Sequence, residues 1–558
     1  MTESPAPARG NAAIMYVRDA YSVDREDLKG RHAAGAGFLQ AVARYLPVPS
    51  IYCYARTRAD FNSFAEEIWQ HARHREVRWI DHARLHQAAE AGALHIADPM
   101  LADWAWHRAR HGEHLYSLTG ITHSICSTAV LEGFAKVFMA PVMPWDAIIC
   151  TSRAARSVIE QVHQDWSERC RGWGYREAAP LPQLPIIPLG VEVANFAPTE
   201  APALRAQLRA ELGIRDDDVC FLFFGRLSYH AKSHFVPMLQ ALEMAAQRTK
   251  KRLFLVMAGR FPGEAIELQV RRAMAAFAPS VRVAVIDGRD DEKCRQSWHA
   301  ADIFTSLSDN LQETFGLTVI EAMAAGLPVV ASEWDGYRDT VAHQETGILI
   351  STSIPPIGAG AHLAGRYSRD ELTYDRYIGY ASLCTAVDVA RCADAYLQLV
   401  ENPDQRRAMG EAGRRRALER FDWRGVIAQY ANLWTELASR RQSACANGFR
   451  PLPSLTDPFK TYAGFASSQL AADTRLGLPE GVDADALLTL VLQHDMNSYG
   501  LPTIATKEVL LEVVAQLKGA PKTLGELSVG QAPEDAGACQ RACAFLLKFG
   551  VLVIVSDR

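Results

Sequence analysis

Cysteine pairs at redox or metal spacing are missing from this 558-residue chain: its eleven cysteines, spread from Cys53 to Cys543, include no Cys-x-x-Cys. An odd count without a repeating spacing argues against a disulfide framework and predicts a reduced, cytoplasmic setting. Also missing is any run of the ~18–20 apolar residues needed to cross a bilayer, and Met1–Gly10 holds no apolar leader stretch. Neither sign of charge dominates, since 59 Lys and Arg face 64 Asp and Glu for a net charge of −5. That balance removes the general attraction to nucleic acid or to an anionic bilayer. No short-period repeat is present. What remains is a globular composition, 49% hydrophobic and 22% charged. At ~100–200 residues per domain, the length predicts about three units.

Along the chain, short apolar runs alternate with amphipathic stretches. Strands are expected at Ala12–Val17, Ser50–Tyr54, Val77–Ile80, Ala147–Thr151 and Pro185–Leu189, with helices at Phe38–Tyr45, Phe61–Ala72 and Ala154–Trp166. A second series places strands at Cys220–Phe224, Leu253–Ala258, Val281–Ile286, Ile303–Thr305, Pro328–Ala331 and Gly347–Ile350. Such alternation predicts an α/β fold with parallel sheets covered on both faces. Two consecutive halves predict two Rossmann-like domains facing each other across a cleft. The expected boundaries are 1–195 and 196–421 for the two domains, 422–441 for a final helix, 442–458 for a linker and 459–558 for a small tail. The tail's order of helix, short helix, helix and strand resembles a winged-helix module. Residues 354–379, rich in Pro, Gly and Tyr, read as an insertion in the second domain.

Chemistry concentrates in two segments. Cys220-Phe-Leu-Phe-Phe-Gly225-Arg226 is a buried strand opening into a turn, with Lys232 six residues past Arg226. Gly225 lets the backbone turn closely, Arg226 offers a planar fork and Lys232 a point charge, a pair suited to a diphosphate. Taken alone, such cations after a strand are more often simply solvated. The second segment is Glu313-Thr314-Phe315-Gly316-Leu317, leading to Glu321 and to Gly326-Leu-Pro328. A helix from about Gly316 should end at Gly326, its free N–H groups forming a site for phosphate. Glu313 at its mouth and Glu321 two turns along can accept hydrogen bonds from hydroxyl-rich groups. The alternative is that Glu313 caps the helix and Glu321 faces solvent. Against it, Glu321 lies among Val319, Ile320, Ala322, Met323 and Ala324, where a carboxylate without donors is costly. Neither an Asp-x-Asp motif nor a His/Cys cluster at ligand spacing is read in the chain, and no metal is expected.

With these motifs the chain resembles the retaining nucleotide-sugar glycosyltransferases of family 4, which have the two-Rossmann GT-B architecture. The resemblance covers roughly Ile14 to Arg441 and rests on Gly225-Arg226-Leu…Lys232, the Glu313/Glu321 pair followed by Ala-Met-Ala-Ala-Gly-Leu-Pro, the Ile187-Pro-Leu-Gly-Val turn and the helix opened by Phe421-Asp-Trp. It implies that Arg226 and Lys232 hold a donor diphosphate, Glu313 the transferred sugar and Glu321 the ribose. Amides around Thr314, Phe315, Gly316 and Leu317 would line the pocket. A Gly35/Gly37 loop would approach the donor from the first domain, and His123 would stand near the transferred sugar. The implied reaction is metal-independent, retaining transfer to a saccharide, lipid-linked or peptide acceptor, with no covalent nucleophile. Asp335-Gly-Tyr-Arg-Asp339, where many relatives carry paired glycines and a glutamate, departs from the pattern.

Two other readings stay open. One keeps the fold but makes the enzyme a nucleotide-sugar epimerase or hydrolase. The other makes the tail a DNA-binding or adaptor module; its expected recognition helix, Pro533–Phe549, carries Arg541 and Lys548 as its cations beside Glu534 and Asp535, which favours an acceptor-orienting or self-associating role. Arg406, Arg407, Arg414–Arg416 and Arg420 form a basic face, read as solvated, with peripheral contact to anionic lipid as the minority reading. Trp104, Trp106 and Tyr116 are read as core aromatics, and Cys539 with Cys543 as buried apolar residues.

Overall fold

The computed structural model describes residues 10–21, 30–174, 181–196, 199–444, 457–529 and 533–555. These fall into two compact units, Met1–Arg450 and Pro451–Arg558.

The first unit contains two six-stranded parallel sheets. One runs in the order Glu76–Asp81, Ser50–Ala55, Ala13–Met15, Ala93–Ile96, Ser117–Ile121, Ala147–Ile149. The other runs Gly347–Ile350, Val329–Ser332, Ile303–Ser306, Val219–Phe224, Leu253–Gly259, Arg282–Asp287. Numbered by sequence within each sheet, both have the order 3-2-1-4-5-6, the doubly wound arrangement expected of two Rossmann-like halves. Central strands such as Val219–Phe224 and Ile303–Ser306 are buried on both faces, which is why they read as continuous apolar runs.

Two inner strands of the first sheet, Ala93–Ile96 and Ser117–Ile121, were not expected, and Pro185–Leu189 is an irregular segment making isolated bridges rather than a strand. The cause is polar content. His95, Ser117 and Thr119 are buried in these strands; His95 Nδ1 is bonded to Thr119 Oγ1 at 3.1 Å and packs its ring on Tyr430 and Trp434, while Ser117 and Thr119 find partners on the helix Trp423–Ser443. Trp434 Nε1 donates to Thr119 Oγ1 at 3.2 Å, and Arg441 reaches Ser117 Oγ at 2.6 Å and the Gly92 carbonyl at 2.8 Å. This final helix, capped by Asp422, therefore packs against strands of the first sheet. At its start, Val191 N–H donates to the Phe421 carbonyl (2.8 Å) and Trp423 N–H to the Val191 carbonyl (3.2 Å), so the two chain crossings between lobes are tied together.

The glycine-rich segment at Gly35 and Gly37 is a correction. It is no loop but part of the helix Gly30–Tyr45. A side chain at Gly35 would strike the Ala20 carbonyl, and one at Gly37 would press on the Trp423 indole. These glycines are needed for close packing of that helix.

The insertion leaves the second sheet on a two-stranded neck, Thr352–Ser353 against Ala386–Val387, and carries two helices, Ala361–Ser368 and Tyr374–Leu383. In the second unit, helices Ala484–Leu492, Lys507–Leu517, Leu524–Leu527 and Pro533–Lys548 pack with a three-stranded antiparallel sheet. The expected order of helix, short helix, helix and strand is present as Lys507–Leu517, Leu524–Leu527, Pro533–Lys548 and Val553–Ile554, and the sheet's central strand, Arg475–Gly477, is an added element that precedes them. Cys539 and Cys543 are buried in the core of this unit. Among the described residues, no helix is long and apolar enough to cross a membrane.

Candidate functional site

In a doubly wound sheet, ligands bind outside the carboxyl ends of the strands where the order reverses, between strands 1 and 4. In the second sheet these are Val219–Phe224 and Ile303–Ser306. The first runs straight into Gly225-Arg226 and the loop to Lys232; the second leads through Leu307–Gln312 to Glu313. Residues 81 positions apart in sequence are thereby brought together.

Lys232 Nζ forms an ion pair with Glu313, each side chain being only 14% exposed. Burial works against the Lys232 ammonium, but the Glu313 carboxylate outweighs it and raises the Lys232 pKa above its ordinary value. Burial likewise opposes the Glu313 carboxylate, and Lys232 overcomes it, holding that carboxyl below the usual range. Arg226 Nη2 donates to Gln312 Oε1 at 2.8 Å and to the Ala231 carbonyl at 3.1 Å, presenting its guanidinium beside Lys232.

The helix Leu317–Ala324 begins at Gly316, whose φ of +93° and contact with the Tyr337 ring leave no room for a side chain. It closes at Gly326 (φ +78°), where Gly326 N–H bonds to the Met323 carbonyl and Leu327 N–H to the Ala322 carbonyl, a Schellman end. Phe315 turns its side chain into the core against Phe421, so its contribution to a pocket is the backbone alone. Thr318 Oγ1 is buried in the first helical turn without a hydrogen-bond partner, an orphan donor next to the free N–H groups.

Glu321 is neither a cap nor a surface residue. Burial pushes its carboxyl up from 4.5 to about 7, with the Lys232 ammonium pulling it down. Between those values the folded state holds a proton that the unfolded chain has lost, so stability should fall as pH rises through this window. Glu321→Gln should therefore melt higher than the parent at pH 8, by roughly 1–3 kcal/mol, yet equal it near pH 4. Paired thermal melts at the two pH values check this, and an equal gap at both would show that the carboxyl does not titrate there.

Asp335, Gln312, Tyr337 and Thr318 complete the shell, and motif reading did not place them there. Asp335 sits at φ +38° with Oδ2 buried and unpartnered; burial first, then Glu313, raises its carboxyl well above the usual range. Its only sequence signal was the departure from paired glycines. Tyr337 is fully buried, its hydroxyl on Ser306 Oγ at 2.8 Å.

His123 follows strand Ser117–Ile121 and lines a cavity at the switch point of the first sheet, with Gly35, His95, Leu189, Trp423 and Tyr430. That lining does not include Arg226, Lys232 or Glu313. Burial and then His123 lower the neighbouring His95 to about 3. Among the described residues no group of three or more His, Cys, Asp or Glu could hold a metal ion. Two Asp-x-Asp triplets that motif reading passed over, Asp216–Asp218 and Asp483–Asp485, serve structure: Asp218 pairs with Arg252, and Asp483 caps the helix Ala484–Leu492. The basic face is also more than solvated, since Arg416 binds the Thr340 and Asp339 carbonyls and Arg406 those of Leu399 and Val400.

Residues 205–357 match the model of the family Glycosyl transferases group 1. The match takes in Arg226, Lys232, Glu313 and Glu321. A D-inositol 3-phosphate glycosyltransferase of Xylanimonas cellulosilytica is 27% identical over 292 residues, 52% of this chain and 58% of that protein. An alpha-maltose-1-phosphate synthase of Mycolicibacterium smegmatis is 27% identical over 255 residues, 45% of this chain and 56% of that protein. The chain thus spans little more than half the length of these relatives. Among solved structures, the sucrose-phosphate synthase of Thermosynechococcus elongatus aligns with a TM-score of 0.47 at 19% identity, covering 77% of this chain and 99% of that one.

Proposed function

We propose that this protein is a glycosyltransferase that moves a sugar from a nucleoside-diphosphate sugar to a hydroxyl of a saccharide, lipid-linked or peptide acceptor. The observation that carries this reading is the convergence of Arg226, Lys232, Glu313 and an amide-rich helix start at the switch point of the second sheet. The chemical problem is cleavage of an anomeric C–O bond while a diphosphate leaves with growing negative charge. Fixed donors aimed at that charge are commonly the largest catalytic contribution. Lys232 and Arg226 supply full charges, and the first turn of Leu317–Ala324 supplies N–H groups and the Thr318 hydroxyl. Glu313, held in position by Lys232, accepts hydrogen bonds from hydroxyls of the transferred sugar, and Glu321 from those of the ribose. This set needs no metal for its positive charge. Retention follows from same-face attack, with the leaving phosphate taking the acceptor proton.

A thermal-shift screen against UDP-, GDP- and ADP-sugars tests the reading. The matching nucleotide at 100 times its dissociation constant should add ~2.7 kcal/mol of stability. Consumption of that donor should require an acceptor; equal consumption without one would favour a hydrolase, and no shift with any nucleotide sugar would overturn the proposal.

A further inference from the structure

The insertion between Ser353 and Ala386 is not consumed by the site just described, yet its contacts run from one lobe to the other. Tyr374 Oη lies 3.2 Å from Cys126 Sγ in the first lobe. Two residues on, Thr128 N–H, at the start of the helix Thr128–Lys136, donates to Tyr367 Oη at 3.4 Å. A helix start needs partners for its free N–H groups, and here one comes from the opposite lobe. Tyr367 stacks on Tyr377 with ring centroids 4.5 Å apart and planes 8° from parallel, which fixes the two insertion helices against each other. On its other side the insertion meets the phosphate loop. Gly379 packs against His230, and the His230 carbonyl accepts from Asn310 Nδ2 at 2.9 Å. The Tyr374 phenol also lies close enough to the Gln312 side chain for that amide to pull the phenol's pKa down against the effect of burial, and Gln312 Oε1 accepts from Arg226 at 2.8 Å.

We propose that the insertion is a clasp across the interlobe gap, in which Tyr374, engaged on Cys126, orients Gln312 and through it the Arg226 guanidinium that faces the donor phosphates. Tyr374 is thus a positioning residue. The chemistry of the chain is consistent with this role. An amide can donate through nitrogen to the phenol while accepting through oxygen from Arg226, so one side chain transmits the phenol's position to the guanidinium. Engagement of the first lobe is coupled in this way to correct presentation of charge in the second. The inference rests on the proposed transfer reaction only in taking Arg226 as a phosphate ligand; the clasp itself is a matter of contacts.

Two readouts separate these. The first is Kd for UDP, GDP and ADP in the full chain, for Tyr374→Phe, Arg226→Ala and the double variant. Tyr374→Phe should weaken the bound nucleotide about fivefold, the scale of one hydrogen bond, and should add nothing once Arg226 is alanine. Additive losses or unchanged affinity in Tyr374→Phe would overturn the positioning role. The second readout is alkylation of Cys126 by iodoacetamide, followed peptide by peptide with mass spectrometry. Labelling should be several-fold faster in Tyr374→Ala, and nucleotide should slow it in the parent but not in the variant. Equal Cys126 labelling in parent and variant would overturn the clasp. If the parent binds no nucleotide, the transfer reading fails and the labelling contrast still decides whether the insertion bridges the lobes.

Discussion

Lys232→Ala should lower transfer by 10²–10³-fold or more, because removing one fixed donor from a developing charge costs ~3–4 kcal/mol of barrier. Glu313→Gln should be equally damaging, through loss of the group that grips the sugar and holds the ammonium. The structure adds a complication, since both charges lie together out of solvent. Removing one member of a buried pair leaves the other uncompensated, a penalty of ~3–5 kcal/mol in stability. Glu313 without Lys232 can escape by taking a proton, because burial already opposes its carboxylate. Each single variant should therefore lose stability as well as activity, and a bare loss of turnover would be ambiguous. The double variant Lys232→Met, Glu313→Gln resolves this. With neither charge buried, its melting temperature should return toward the parent while turnover stays absent. Near-parental turnover in either single variant, measured with the nucleotide sugar that stabilises the protein, would overturn the assignment of the site.

How far the sequence disclosed this site depends on which residues one asks about. Arg226, Lys232, Glu313 and Glu321 were legible because strand, turn and helix signals surround them, and because Glu321 is conspicuous on an apolar helix. Their meeting was legible only through the fold: a parallel sheet with reversed order places the ends of its first and fourth strands side by side. Gln312, Thr318 and Tyr374 carry no such signal, being single polar residues whose meaning comes from partners far along the chain. The same holds for the strands Ala93–Ile96 and Ser117–Ile121. A strand containing His95 or Thr119 looks wrong for a buried sheet until Trp434 arrives from 315 positions away. The glycines at 35 and 37 misled in the other direction. A glycine-rich stretch after a strand suggests a ligand loop, but these serve a close helix contact with Trp423 and the Ala20 carbonyl.

Arg108→Met should cost the first lobe ~3–5 kcal/mol while leaving the second lobe's response to nucleotide intact. Arg108 and Asp146 are both 0% exposed. The guanidinium grips the carboxylate with two bonds, of 2.6 and 2.8 Å, and also donates to the Tyr116 and Pro141 carbonyls. Asp146 in turn accepts from Leu118 and Met143 N–H, each at 2.8 Å. This fork-on-fork geometry is the condition under which a buried pair recovers its desolvation cost, since nearly every polar atom has a partner. Methionine fills much of the volume but leaves the Asp146 carboxylate with two backbone donors and only the more distant Arg441 guanidinium as counter-charge. Asp146→Asn in the same chain removes that charge, so the double variant should regain part of the loss, a coupling that a double-mutant cycle on melting temperatures measures. The pair sits where strands Ser117–Ile121 and Ala147–Ile149 begin, the end of the sheet opposite to the ligand side. A variant that melts earlier yet shows an undiminished nucleotide shift would fit that placement. One that loses the shift together with its stability would show instead that the two lobes unfold and bind as one cooperative body.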